Sequence, residues 1–322
     1  WEPDFLQAHK TNRPGVIGEY DEYNRRNYNV YASGPIVRDK LFFFALYEFR
    51  DYNPVHTDDA GIRWDDEKEG DDFWGVKLDW QINDSNLLEL LAFSDENENI
   101  TNSYGFDLAS GEVGDFENRR FENGGGKNWA VTYTSYLTES LSLKALYGEN
   151  DRTFSRYSQN DVDCSRVRDL RGATAIDVGC TSSANIVTRE AARIDLEWSL
   201  GSHALRFGVD RESNVSQHAQ FYPGPDRLLY EVRRVTVPTL ENGAPRPAGV
   251  TDFVRTRQNE VAGSFETLNT AYYLEDNWSV TETLVLNAGV RVEGFDNRNS
   301  EGDSYIKMDN MIAPRFGFSW DM

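Results

Sequence analysis

The chain has 322 residues, 39% of them hydrophobic, with 54 acidic against 33 basic side chains, a net charge of −21 and a pI near 4.6. That balance argues against a nucleic-acid partner, whose phosphates it repels. A mean hydropathy of −0.64 argues against a bundle of membrane helices, and the longest apolar run, Leu41–Tyr47, falls far short of the ~20 residues a spanning helix needs. Aromatics are nonetheless abundant, with 8 Trp, 16 Tyr and 18 Phe; a disordered acidic chain lacks them, whereas a structure apolar on one face uses them.

The opening Trp1-Glu2-Pro3-Asp4 has neither the basic start nor the apolar centre of a secretory leader, so a mature or truncated chain is expected. From Tyr28 onward, period-two alternation recurs and helical periodicity is almost absent. In Asp72–Ile82, Trp74, Val76, Leu78, Trp80 and Ile82 share one face and Gly75, Lys77, Asp79 and Gln81 the other. Ala192–Leu200 sets Ile194, Leu196 and Trp198 against Arg193, Asp195, Glu197 and Ser199. Leu284–Val292 sets Leu284, Leu286, Ala288 and Val290 against Asn287, Gly289 and Arg291. Such segments read as strands with one apolar and one charged face. About eleven are expected, beginning near Tyr28, Leu41, Asp72, Leu87, Lys127, Leu141, Thr188, His203, Phe265, Leu284 and Ile312.

The connections alternate too. Short turns fall at Arg38-Asp39, Asn83–Asn86, Thr138–Ser140, Gly201-Ser202 and Thr281–Thr283, and long polar stretches cover Pro54–Asp71, Asn99–Gly126, Tyr157–Val187 and Phe221–Ser264. Soluble domains rarely hold several loops longer than about 15 residues, whereas outer-membrane barrels pair short periplasmic turns with long extracellular loops. A tilted strand climbs about 2.5 Å per residue, so an apolar band of about 25 Å takes ~10 residues, the length of these segments. Trp74 and Trp80 stand where interfacial aromatic girdles form. A soluble sandwich shares the alternation but leaves the asymmetry of the connections unexplained. The expected fold is therefore all-β, an antiparallel transmembrane β-barrel.

Cys164 and Cys180 sit in a polar stretch at no zinc spacing, so a disulfide pinning a long loop is expected over two free thiols. The four histidines, His9, His56, His203 and His218, are scattered, and no nucleophile–base pair suggests an enzyme. Lumen-facing charges Lys77, Asp79, Arg193, Asp195, Glu197, Arg291, Glu293 and Arg315 are candidates for touching ligand, against the blander reading that they hydrate and pair within the lumen. Asp65, Asp66 and Glu67, within the acidic run from Asp58 to Asp72, are candidates for a Ca²⁺ site, against a solvated charge run. Asp161 and Asp163 beside Cys164 are weighed the same way. No other cofactor is expected.

Two segments resemble a known family. Tyr31-Ala-Ser-Gly-Pro-Ile-Val-Arg-Asp-Lys-Leu-Phe-Phe-Phe44 is similar to a hairpin found early in TonB-dependent receptor barrels, in the form of Oar-like members. Tyr272-Tyr-Leu-Glu-Asp-Asn-Trp278, followed by Leu284-Val-Leu-Asn-Ala-Gly-Val-Arg291 and Ala313-Pro-Arg-Phe-Gly-Phe-Ser-Trp-Asp321, resembles a later hairpin and the strand after it. The resemblance implies a barrel of 22 strands filled by a plug, with uptake of an extracellular ligand driven by the TonB complex. On that reading residues 1–27 are a lead-in after a missing plug, and 28–322 are the N-terminal half of the barrel, a partial wall of about eleven strands with free edges near Asn29 and Phe318. The Leu41–Tyr47 run, apolar on both faces, then meets lipid on one side and the plug or barrel wall on the other. The location implied is a Gram-negative outer membrane, with outer-membrane lipid and TonB, through that plug, as partners. The rival role is structural or interactive, with acidic loops docking an extracellular protein or polymer.

Overall fold

The computed structural model describes residues 17–23, 25–69, 72–159, 163–172, 176–180, 182–235, 237–240 and 242–321, with backbone alone at 68–69 and 176–178. Asp71, Asp161 and residues 1–16 lie outside the described residues. In chain order the strands are β1 (Arg25–Val37), β2 (Leu41–Tyr52), β3 (Val55–Thr57), β4 (Ile62–Glu69), β5 (Phe73–Asn83), β6 (Asn86–Ser94), β7 (Asn97–Asp107), β8 (Glu112–Gly125), β9 (Lys127–Tyr136) and β10 (Leu141–Ser158). There follow β11 (Arg166–Asp169), β12 (Ile176–Val178), β13 (Ser182–Leu200), β14 (His203–Phe221), β15 (Leu228–Arg234), β16 (Asp252–Gln258), β17 (Glu260–Ser279), β18 (Leu284–Arg298) and β19 (Ser304–Trp320).

Eleven of these form one antiparallel wall in the order β1-β2-β5-β6-β9-β10-β13-β14-β17-β18-β19, each starting within a few residues of its expected place or earlier on the loop side. The wall does not close: β1 and β19 each have one neighbour among the described residues. Within the hairpins β1–β2, β5–β6, β9–β10, β13–β14 and β17–β18 the connecting turns are short, and in two of them a threonine side chain caps the turn. At Thr138–Ser140 and Thr281–Thr283, Thr Oγ1 accepts from the backbone N–H two residues on, at 3.2 and 3.3 Å. Gly201 closes the β13–β14 turn at φ 61°, a left-handed conformation that a Cβ disfavours.

The long polar stretches are not structureless, and here the sequence expectation is corrected. β3, β4, β7 and β8 extend the wall above β10: β8 joins β10 from Thr153 to Ser158, where β9 stops at Asn150. β12, β11, β15 and β16 form a separate sheet, in which β11 and β15 run parallel. Several of these strands, β4 and β8 among them, carry charged or amide side chains on both faces, and the apolar residues of β7 and β15 are too few to stand out as period-two alternation; backbone pairing marks them instead. The exchange from β8 to β9 turns on Gly125, at φ 74°, where an added Cβ would collide with the Asp95 carbonyl.

The registers fix two faces. One carries Phe43, Ala45, Val76, Leu78, Trp80, Leu88, Leu90, Val131, Leu143, Ala145, Ile194, Leu196, Phe207, Leu274 and Val290. The other carries Lys77, Asp79, Glu89, Thr132, Lys144, Arg193, Asp195, Arg206, Tyr273 and Arg291 in the intervening rows. Charges at mid-membrane cost roughly 2–4 kcal/mol for Lys or Arg, so the first face meets lipid and the second the lumen. Trp80, Trp198, Trp278 and Trp320 all project from the lipid face near its periplasmic margin, each more than a third exposed, as interfacial indoles do. His203 stacks on Trp278 there, with ring centroids 5.1 Å apart.

Candidate functional site: the lumenal face of β13, β14, β17 and β18

Three neighbouring cross-strand rows build the site. The middle row runs Lys144, Asp195, Gly208, Tyr273, Arg291. Gly208 is required at its centre: a Cβ built there lies 2.6 Å from Tyr273 Oη. Without that Cβ the Tyr273 ring lies across the neighbouring strand and its hydroxyl reaches Asp195, to which it donates. Arg193 Nε and Nη2 donate to the same hydroxyl at 3.2 and 3.1 Å.

Arginines then cover the ring. The guanidinium carbons of Arg193, Arg206 and Arg291 stand 5.5, 5.7 and 6.0 Å from its centroid, within cation–π reach. Their charge is balanced locally. Asp195 takes Arg193 at 3.0 Å and Arg206 at 3.2 Å, and Arg291 pairs with Glu293 at 2.6 Å and Asp210 at 3.8 Å. Arg206 also meets Glu197 at 3.7 Å, and Arg315 meets Glu275 at 3.7 Å. Tyr273 is 8% and Asp195 6% exposed, so their hydrogen bonds are sheltered from water and an unmet partner would be costly. Above the cluster, Asp210, Glu212, Asn269, Arg291 and Glu293 line a depression open to the lumen. Chemically this is a rigid surface of paired charges, suited to hydrogen-bonding a polar solute and lacking a nucleophile–base pair.

Six of the eight expected lumenal charges, Arg193, Asp195, Glu197, Arg291, Glu293 and Arg315, therefore fall on these rows. Lys77 and Asp79 do not join them; they lie on β5, where Lys77 bridges Asp79 at 2.9 Å and Glu89 at 3.0 Å. Tyr273, Arg206, Asp210 and Glu275 were not singled out by sequence reasoning. The signal that marks Tyr273 is a glycine directly opposite it, which alternation does not reveal. The lumenal face of β2, with Phe42, Phe44 and Leu46 beside Tyr31, is apolar instead; the rings of Tyr31 and Phe44 stack at 6.4 Å.

Asp65, Asp66 and Glu67 do not converge. They lie in β4, whose alternation sends Asp66 to the face opposite Asp65 and Glu67. Asp65 pairs with Arg63 at 2.7 Å and Asp66 accepts from Thr101 Oγ1 at 2.5 Å. Among the described residues no group of three or more His, Cys, Asp or Glu could hold a metal. Cys164 and Cys180 are joined by a disulfide, which ties the ends of the β11–β12 hairpin. In that outer sheet Glu231, 1% exposed, has Arg233, Arg255, Arg257 and Arg168 at 3.1, 3.4, 3.8 and 3.9 Å. Nearby, the Arg171 guanidinium lowers the Asp169 carboxyl to about 2.

An open antiparallel wall, apolar and ringed by tryptophan outside and charged within, defines the class: an outer-membrane β-barrel of the Gram-negative envelope. Residues 52–309 match the outer membrane beta barrel domain family, and the chain belongs to that family. No curated protein matches it. Among solved structures it is similar to Pseudomonas aeruginosa FpvA bound to heterologous pyoverdines, at 13% identity and a TM-score of 0.60, over 94% of this chain and 39% of that one. The Escherichia coli outer membrane transporter YddB follows at 13% identity and a TM-score of 0.52, over 93% and 36%. The siderophore receptor PiuA of Acinetobacter baumannii matches at 10% identity and 0.50, over 93% and 46%. At these identities the likeness shows the fold, and the chain spans less than half the length of each of these structures.

Proposed function

We propose that this chain forms the N-terminal half of the barrel of a TonB-dependent receptor of the Oar-like kind, which takes up an extracellular ligand. The observation that carries the reading is the lumenal cluster around Tyr273, a polar wall prebuilt on rigid strands within a fold shared with a transporter and two siderophore-binding receptors. Lys77, Asp79, Arg193, Asp195, Glu197, Arg291, Glu293 and Arg315 line the passage and offer donors and acceptors to solute or plug. The two wall edges, β1 and β19, would leave unpaired backbone groups in hydrocarbon at several kcal/mol each, so further strands complete the barrel, to about 22 in all. The apolar lumenal patch of Tyr31, Phe42, Phe44 and Leu46 seats a plug, and the plug couples to TonB.

A second reading, docking of an extracellular protein or polymer by the outer loops, draws on the disulfide-tied outer sheet. The deciding experiment compares depletion of compounds from the medium by three cell types: cells with the full-length gene, cells without it, and cells whose TonB complex is inactivated. A compound depleted only when both gene and TonB are intact supports import. If no depletion depends on both, the import reading is overturned and the docking reading takes its place.

A further inference from the structure

The outer sheet sorts its charges by face. Register places Arg166, Leu229 and Arg257 in one row and Arg168, Glu231 and Arg255 in the next, with Arg233 two residues further along β15. All seven share one face, because residues paired across strands, or two apart along one strand, point the same way. Asp177 ends the second row on β12. That face therefore sets five arginines against two acids, in a chain where acids outnumber bases 54 to 33. The opposite face carries Tyr230, Val232, Val254 and Thr256, and its acids are matched: Asp169 pairs with Arg171 at 2.6 Å and Asp252 with Arg234 at 3.5 Å.

Glu231 is the hub of the arginine face. Guanidinium groups from three strands stand 3.1–3.9 Å from its carboxylate: Arg168 on β11, Arg233 on β15, and Arg255 and Arg257 on β16. A carboxylate accepts about four hydrogen bonds, whereas four guanidiniums offer about twenty N–H donors. One negative charge also leaves four positive ones in mutual repulsion at this separation. The four arginine side chains remain 31–48% exposed, so their outer edges reach solvent although Glu231 does not. β11 pairs with β15 over only four residues, and the Cys164–Cys180 disulfide ties down the hairpin that carries it.

We propose that this arginine cage binds the phosphate group of a soluble extracellular solute, with Glu231 as the template that gathers the guanidiniums. Arginine forks bind phosphate oxygens in pairs. Forks converging from three strands match oxygens spread in three dimensions, as in phosphate, rather than the two coplanar oxygens of a carboxylate. The cage is also compact. The neighbouring Arg171 and Arg234 are tied to Asp169 and Asp252 of the other face, so no basic track continues along which a long polyanion would lie. The inference requires the outer sheet alone, and neither import nor docking of a polymer, so both of those readings survive its failure.

The test is isothermal titration calorimetry of the purified full-length protein in detergent, with inorganic pyrophosphate, citrate and dextran sulfate as probes. The expected result is that pyrophosphate binds about tenfold more tightly than citrate. R255A and R257A should each weaken pyrophosphate binding about tenfold, the effect of one charge-assisted contact. R234A, on the opposite face, should leave it unchanged. Pyrophosphate binding no tighter than citrate would overturn the proposal, as would binding of dextran sulfate alone. A loss in R234A equal to that in R257A would reduce the effect to net charge and also overturn it. If R255A does not fold, R257A decides, since its side chain is the most exposed of the four: undiminished binding refutes the site.

Discussion

Tyr273 shows how a single side chain organises charges from distant parts of the chain. Its hydroxyl joins Asp195 and Arg193, and its ring lies under three guanidinium groups. Gly208 makes this placement possible, because any side chain at that position would push the ring into the lumen. Y273F keeps the ring and removes the hydroxyl, so the arginines stay stacked while the buried Asp195 loses one donor. The expected loss is about 1–2 kcal/mol of stability, the effect of removing one partner from a sheltered network, measured by urea unfolding of the reconstituted full-length protein. Unchanged stability would show that Arg193 and Arg206 alone satisfy Asp195.

Along each wall strand, what matters is which face a residue occupies. Val76 lies on the lipid face of β5, opposite Ala45 and Ala92, and Thr132 lies on the lumenal face of β9, opposite Glu89. V76R is expected to cost about 2–4 kcal/mol of folding free energy in vesicles, whereas T132R, beside a carboxylate, should change it by less than about 0.5 kcal/mol. Equal costs would mean that the faces are assigned wrongly. The wall strands were legible in the sequence because alternation is local: Trp74 to Ile82 or Ile194 to Trp198 needs no partner to be recognised. β8 was not, since its residues Glu112 to Gly125 are polar on both sides and become a strand only by pairing with β7 and β10.

At the scale of the molecule, the wall and the outer sheet are separate hydrogen-bonded units joined through the ends of β10, β13, β14 and β17. The Cys164–Cys180 disulfide, spanning 16 residues, closes one of the two excursions that build the outer sheet. Replacing both cysteines by serine should release about 3 kcal/mol of loop-closure constraint. Protease should then cut within residues 163–180 and leave β10 and β13 protected, as mapped by mass spectrometry of limited digests. Cleavage spreading into those two strands would show that the outer sheet supports the wall rather than resting on it.

The sequence by itself determined the number of wall strands, which of their faces is apolar, the short turns, and the position of a disulfide in a long loop. All of these follow from patterns within about ten residues, where pleating alternates side chains between faces. Only the tertiary structure decided which charges meet. Arg193 and Tyr273 are 80 residues apart in sequence and touch because the β13–β14 and β14–β17 registers set Asp195, Gly208 and Tyr273 in one row. It also decided that Asp65, Asp66 and Glu67 part to opposite faces, and that the polar excursions pair into strands. Register is a long-range choice, made by the summed hydrogen bonds and packing of two whole strands, so no local stretch of residues encodes it alone.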